Sequence, residues 1–138
     1  MKKIMITLLS MAAINMASAM DIAVIVSAKS PVTNLTKEQV EQLFLGKVSS
    51  FPGGSVAIPL DQLEGSDVRN DFYDKAINKS PSQLKAYWSK LVFTGKAQPP
   101  KEIQAGEIKK LISTNPNAIS YIPKSEVDGS VKIVYSVQ

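Results

Sequence analysis

The sequence predicts an α/β domain, a three-layer sandwich in which a mixed, mostly parallel sheet is covered by helices. Two observations carry this prediction. Segments with the composition of strands alternate along the chain with segments of helical periodicity, which is typical of a sheet covered by helices. The run IAVIV at residues 22–26 is apolar at every position, as expected for a strand that is buried on both faces. The predicted order of elements is β-α-β-α-α-α-β-β.

The first helix is predicted to begin after Thr36, which has capping-box spacing to Gln39. Gly46 is placed to end this helix. The apolar side chains that recur at helical spacing between these two signals are Val40, Leu43 and Phe44. A turn at residues 51–54, with the sequence FPGG, then leads into a second strand at residues 56–60.

Two further helices follow the second strand. The first begins near Gly65 and Ser66, and the second begins at Ser80, where Pro81 and Gln83 complete an N-terminal capping signature. Apolar residues at helical spacing give these helices one buried face each: Val68, Phe72, Ala76 and Ile77 in the former, and Leu84, Trp88 and Leu91 in the latter.

The last third of the chain is predicted to hold one helix and two strands. Residues 93–100, with Gly95 and the pair Pro99–Pro100, are predicted to form a loop. The fourth helix carries Ile108, Leu111 and Ile112 and ends at Asn115–Pro116. The strands at 118–122 and 131–135 are separated by an Asp128–Gly129 turn.

Residues 1–19 have the pattern of a secretory signal peptide. Lys2 and Lys3 precede an apolar stretch, and Ala17-Ser18-Ala19 is a small-residue cleavage site. The apolar stretch is shorter than the roughly 20 residues that a membrane-spanning helix needs. We therefore expect a single exported domain at residues 20–138, located in the periplasm and without stable membrane insertion.

Composition excludes several classes of function. The 138 residues contain no cysteine and no histidine, so thiol nucleophiles, Cys/His zinc sites and histidine general bases are absent. No calcium-loop spacing is present, and neither a metal nor a cofactor is predicted. The formal net charge is +4, but two of these charges belong to Lys2 and Lys3. The other lysines are scattered, so no nucleic-acid partner is predicted.

The junction between the second strand and the second helix carries the clearest chemical signal. Its residues are Gly65, Ser66, Asp67, Val68 and Arg69, and Arg69 is the only arginine of the chain. Unpaired amides and the helix dipole favour an oxyanion at a helix N-terminus, and a guanidinium offers a planar fork to an anion. An ordinary helix cap beside a solvated arginine explains the same residues without any ligand.

Several short motifs together resemble the substrate-binding proteins of ABC phosphate importers, within the type II periplasmic binding-protein superfamily. The matching stretches are LFLGK at 43–47, FPGG at 51–54, GS at 65–66, YW at 87–88 and AISYI at 118–122. The resemblance implies one α/β lobe of such a protein, with phosphate or a similar oxyanion as ligand at residues 65–69. The family's junction reads Gly-Ser-Gly-Thr, and here Asp67 and Val68 replace its second half.

The resemblance leaves two functions open. The first is a periplasmic binding protein for a small anion such as phosphate, or an accessory of an ABC phosphate importer, with an ABC permease as partner. Because one lobe supplies only one wall of the ligand site, a homodimer is one source of the second wall. The second is an envelope protein-interaction module that kept the lobe fold without ligand binding. An enzyme using only carboxylates has no support beyond scattered Asp and Glu residues, so the protein is predicted not to be an enzyme.

Overall fold

The structure, a computed structural model, describes residues 20–137. The predicted signal peptide at residues 1–19 lies outside the described residues and stays a prediction, as does the domain boundary at residue 20. Within residues 20–137, no helix is long and apolar enough to cross a membrane.

A five-stranded sheet forms the middle layer. Its strands are β1 (Ile22–Ser27), β2 (Ile58–Gln62), β3 (Lys101–Ile103), β4 (Ala118–Pro123) and β5 (Val131–Val137), in the spatial order β3-β2-β4-β1-β5. Strand β2 pairs in parallel with β3 and β4, whereas β1 pairs antiparallel with both β4 and β5. Because only β1 runs against the other four strands, the predicted mixed, mostly parallel sheet is confirmed.

The helices are α1 (Lys37–Phe44), α2 (Asp67–Phe72), α3 (Pro81–Phe93) and α4 (Ala105–Thr114). Helix α2 continues directly into one turn of π-helix at Tyr73–Ile77, and a short 3-10 turn at Lys124–Glu126 precedes β5. The predicted capping boxes at Thr36 and Ser80 are both formed. Gly46, which follows α1, has a φ of +69°, a left-handed conformation that suits glycine at a helix end.

Two hydrophobic clusters lie on opposite faces of the sheet and make the structure three-layered. Alternate residues of β1 point to opposite faces. Ile22, Val24 and Val26 belong to the larger cluster with α1, α2 and α3, and Ala23 and Ile25 belong to the smaller cluster with α4. All six residues of β1 are buried, which confirms the prediction of a strand that is covered on both faces.

Two predictions about the edge of the sheet are wrong. Strand β2 occupies Ile58–Gln62 rather than 56–60, and the chain forms β3 directly after the predicted loop. The shift occurs because Asp61 and Gln62, whose polarity suggested a loop, pair in parallel with Glu102 and Ile103 of β3. Phe93 also lies at the end of α3 rather than in the loop.

Candidate functional site

The five residues predicted at the junction between β2 and α2 adopt a tight turn followed by a helix start. Gly65 has a φ of +87°, which a residue with a side chain adopts only at a cost. Ser66 is the N-cap of α2, and its hydroxyl accepts a 3.0 Å hydrogen bond from the amide of Arg69. Asp67 is exposed, and Val68 is half-buried against the larger core.

The hydroxyl of Ser66 is thus committed to the helix cap. It also lies 3.4 Å from the side-chain oxygen of Gln62. By contrast, the backbone amides of Asp67 and Val68 have no hydrogen-bond partner within residues 20–137. The donors that remain at this helix start are therefore backbone amides, as expected for the first turn of a helix.

The guanidinium of Arg69 folds back toward the end of β2 instead of extending into solvent. Its Nη1 donates to the carbonyl of Gln62 at 2.9 Å and to the carboxylate of Glu102 at 2.7 Å, and it lies 3.9 Å from Asp61. The side chain is 15% exposed. Nε and Nη2 make no hydrogen bond within the described part, where no buried side-chain nitrogen lacks a partner. Neither group is therefore fully buried.

Asp61 is a buried carboxylate that the sequence analysis missed. Its side chain accepts hydrogen bonds from the Tyr73 hydroxyl at 2.6 Å, from the Gln62 amide at 2.8 Å and from the Tyr121 hydroxyl. Burial raises the pKa of Asp61 above its ordinary value, although the two hydroxyls and Arg69 oppose this shift. A lone carboxylate at the end of an apolar strand was the available signal, and it was interpreted as a loop residue.

The two tyrosines that hold Asp61 are fixed by an aromatic cluster. Phe72 stacks on the ring of Tyr121 with a centroid distance of 3.9 Å and meets Tyr73 edge-on at 5.2 Å. Burial, with the negative charge of Asp61, raises the pKa of both Tyr73 and Tyr121. Both hydroxyls therefore remain protonated and act as donors to Asp61.

Glu102 is the second residue that the sequence analysis missed. It lies on β3, and one of its carboxylate oxygens accepts from Arg69 Nη1 at 2.7 Å and from the backbone amide of Glu64 at 2.7 Å. A guanidinium and a backbone amide beside a glycine turn are the donors that a bound oxyanion would use. The carboxylate of Glu102 therefore occupies one position that an oxygen atom of a bound anion could take.

Arg69 lies in the wall of a cleft of about 340 Å³ between α2, α3 and the segment that precedes β3. The polar end of this cleft holds Asp61, Glu64 and Glu102 beside Arg69. Within residues 20–137, no group of three or more carboxylates is arranged to hold a metal ion. Of the five residues predicted at the junction, only Arg69 lines this cleft; Gly65, Ser66, Asp67 and Val68 do not. The group that the cleft offers to a small polar ligand is therefore the Arg69 guanidinium.

No protein-family model matches the sequence. Among solved structures, the chain is similar to a protein described as a phosphate ABC transporter substrate-binding protein with bound phosphate from Clostridium perfringens, at 29% identity and a TM-score of 0.63. It is also similar to an ABC-type phosphate transport receptor from Vibrio cholerae, at 20% identity and a TM-score of 0.65, and to PstS from Borrelia burgdorferi, at 17% and 0.60.

These alignments cover 82–84% of this chain but only 45–46% of the other proteins. The matched part of the chain thus spans less than half the length of the proteins it resembles. The Vibrio cholerae and Borrelia burgdorferi proteins, at 20% and 17% identity, show similarity of fold. The Clostridium perfringens protein, at 29% identity, is similar in sequence as well. The resemblance predicted from the short motifs is confirmed: the chain is similar to a single lobe of the phosphate ABC transporter substrate-binding proteins.

Proposed function

We propose that the chain is a periplasmic binding protein for a small oxyanion such as phosphate, and that it serves an ABC phosphate importer. The observation that carries this proposal is the position of Arg69. Its Nε and Nη2 groups make no hydrogen bond within residues 20–137, and neither do the amides of Asp67 and Val68 in the first turn of the same helix, α2. The similarity to a phosphate-bound importer protein supports the same ligand class.

The proposed site uses residues 65–69 in three ways. Gly65 allows the sharp turn, Ser66 holds the helix start in place, and the amides of Asp67 and Val68 with the Arg69 guanidinium act as donors. Asp67 also brings a carboxylate near these donors, which opposes a dianion. Hydrogen bonds to charged groups contribute about 1.5–3 kcal/mol each. After the cost of immobilising the ligand, a few of them leave about 4 kcal/mol, which corresponds to a millimolar Kd.

Replacing Glu102 by glutamine is expected to tighten phosphate binding about tenfold, equivalent to 1.4 kcal/mol. Glutamine keeps the shape and one acceptor oxygen but removes the charge that competes for Arg69. Neutral acceptors bind a guanidinium roughly half as strongly as charged ones. Calorimetric titration of the wild-type protein and the Glu102→Gln variant with phosphate, and separately with sulfate, measures the change.

Glu107→Gln is the matched control, because Glu107 is an exposed carboxylate in the first turn of α4, on the opposite face of the sheet. We expect this variant to bind as the wild-type protein does. If neither the wild-type protein nor the Glu102→Gln variant gives heat or a melting shift at tens of millimolar phosphate, a range well above a millimolar Kd, the anion-binding proposal is wrong for the isolated chain.

The second candidate is an envelope protein-interaction module that does not bind a ligand. The observation that favours it is the pairing of Glu102 with Arg69, which leaves the strongest cation of the site already bonded. If neither the wild-type protein nor the Glu102→Gln variant binds phosphate or sulfate while both are folded, this second candidate is the function that remains.

A further inference from the structure

The cleft that Arg69 lines combines a charged end with walls that are mainly apolar. Its volume of about 340 Å³ is at the lower end of the range of small-molecule pockets, which join apolar walls to a few polar groups in the same way. The cleft therefore has the size and the composition of a small-molecule site. The apolar residues of its walls are Leu84, Trp88 and Val92 of α3 and Pro99 and Pro100 of the segment before β3.

An inorganic oxyanion would use only the charged end of this cleft. Phosphate has no apolar surface, so the walls formed by α3 and the two prolines would stay in contact with water when phosphate is bound. Val92, for example, lines the cleft and is 43% exposed. Removing apolar surface from water is favourable in proportion to the area that is covered. A ligand with an apolar group next to its anionic head would therefore bind more tightly than phosphate.

The charged end favours an anionic head over a neutral one. Nη1 of Arg69 donates to Gln62 and Glu102, whereas Nε and Nη2 make no hydrogen bond within residues 20–137. These two groups form one edge of the planar guanidinium, which is the geometry that binds two oxygen atoms of a carboxylate or a phosphate. A neutral or cationic ligand in the cleft would bring no charged acceptor to this edge.

We infer that the cleft binds an organic phosphate or phosphonate. The anionic head lies on the Nε–Nη2 edge of Arg69, and the apolar group lies against α3 and the two prolines. The ring of Trp88 in the cleft wall gives an aromatic group a partner for stacked or edge-to-face contact. This ligand class rests on the proposed function, because the same guanidinium holds the anionic head in both.

The test compares two ligands that share a head, methylphosphonate and phenylphosphonate, by calorimetric titration of the purified protein at neutral pH. Inorganic phosphate is the reference, and benzyl alcohol is the neutral aromatic ligand. We expect phenylphosphonate to bind at least about tenfold more tightly than methylphosphonate, because even a half-covered ring removes enough apolar area from water. Benzyl alcohol should bind more weakly than phenylphosphonate. The emission of Trp88, the only tryptophan of the chain, should change with phenylphosphonate and not with methylphosphonate.

Val92→Ser locates the apolar group of the ligand. Serine removes apolar surface from the wall of the cleft, so the preference for phenylphosphonate over methylphosphonate should fall at least about threefold. Circular dichroism verifies that the variant is folded. Leu111→Ser is the matched control, since Leu111 is 38% exposed on α4, which packs on the opposite face of the sheet. We expect its preference to equal that of the wild-type protein.

Equal affinities for the two phosphonates would overturn the assignment of an organic ligand and leave the anion site in place. A preference that Val92→Ser leaves unchanged, or that Leu111→Ser reduces equally, would overturn it as well, and so would benzyl alcohol that binds as tightly as phenylphosphonate. If neither phosphate nor either phosphonate binds, the proposed function fails together with this ligand class. The phosphate titration thus decides the proposed function, and the ratio of the two phosphonate affinities decides the organic ligand.

Discussion

Replacing Asp61 by alanine is expected to lower the free energy of unfolding by about 3–5 kcal/mol, the range for removing one partner of a buried charged network. Asp61 is 2% exposed, and it accepts hydrogen bonds from Tyr73 and Tyr121. Without the carboxylate, both hydroxyls lose their acceptor in the interior, at about 1–3 kcal/mol each. Urea unfolding, followed by circular dichroism at neutral pH, measures the loss.

Asp74→Ala is the matched control, because Asp74 is an exposed carboxylate on the π-helical turn next to Tyr73. Its replacement is expected to change the free energy of unfolding by no more than about 0.5 kcal/mol. Equal effects of the two variants would mean that the buried network contributes nothing to stability beyond an ordinary surface carboxylate.

Asp61 should also give stability a recognisable pH dependence. Burial raises its folded-state pKa above the ordinary value of 3.8, so the folded protein binds this proton more tightly than the unfolded chain does. The stability that this raised pKa contributes is therefore fully present below about pH 3.8 and is lost as the pH rises through the folded-state pKa, whereas the hydrogen bonds that Asp61 accepts from the two tyrosines contribute at neutral pH as well. Asp61→Asn cannot ionise. Its free energy of unfolding, measured relative to the wild-type protein across this range, is expected to rise with pH, and a constant difference would contradict the raised pKa.

The helix starts were predictable from sequence because their determinants are local. Thr36 with Gln39, and Ser80 with Gln83, are three residues apart, and both pairs form reciprocal caps. The strand at residues 22–26 was predictable for a related reason. A strand covered on both faces has no polar face, so its burial can be read from a continuous apolar run.

The candidate site was predictable only where its residues are neighbours in sequence. Ser66 and Arg69 form one helix start, so the local pattern placed them together. Glu102 reaches Arg69 from β3, whose three residues carry no alternation of apolar and polar side chains. Tyr121 meets Asp61 from a position 60 residues away. Such pairings depend on the order of strands in the sheet, which no local pattern specifies.

The same dependence on tertiary packing explains why β2 was placed two residues early. Asp61 and Gln62 are 2% exposed and polar, a combination that costs stability unless every polar atom has a partner. Tyr73 and Tyr121 supply partners for Asp61, and the backbone carbonyl of Tyr121 accepts from Gln62 Nε2 at 3.0 Å. Strand β2 extends to Gln62 because these partners exist, and the partners lie on elements outside the strand.

Replacing Phe72 by alanine is expected to cost about 3–5 kcal/mol of unfolding free energy, as large-to-small changes of buried aromatic residues do. Phe72 is 0% exposed. Its ring stacks on Tyr121 at 3.9 Å and meets Phe44 and Tyr73 edge-on at 4.9 and 5.2 Å. Urea unfolding measures the loss. Phe93→Ala removes the same atoms from a 92% exposed position, and at low micromolar protein it should change stability by about 0.5 kcal/mol or less.

The double variant separates packing from support of the buried carboxylate. The cavity left by Phe72 lies against both rings whose hydroxyls bind Asp61, so the loss of Phe72 should also loosen those two hydrogen bonds. In the Phe72→Ala background, Asp61→Ala should therefore cost less unfolding free energy than it does in the wild-type protein. The loss in the double variant should be smaller than the sum of the two single losses by about 0.5–3 kcal/mol, as for residues in one network. Full additivity would show that Phe72 fills space in the core without positioning Tyr73 and Tyr121.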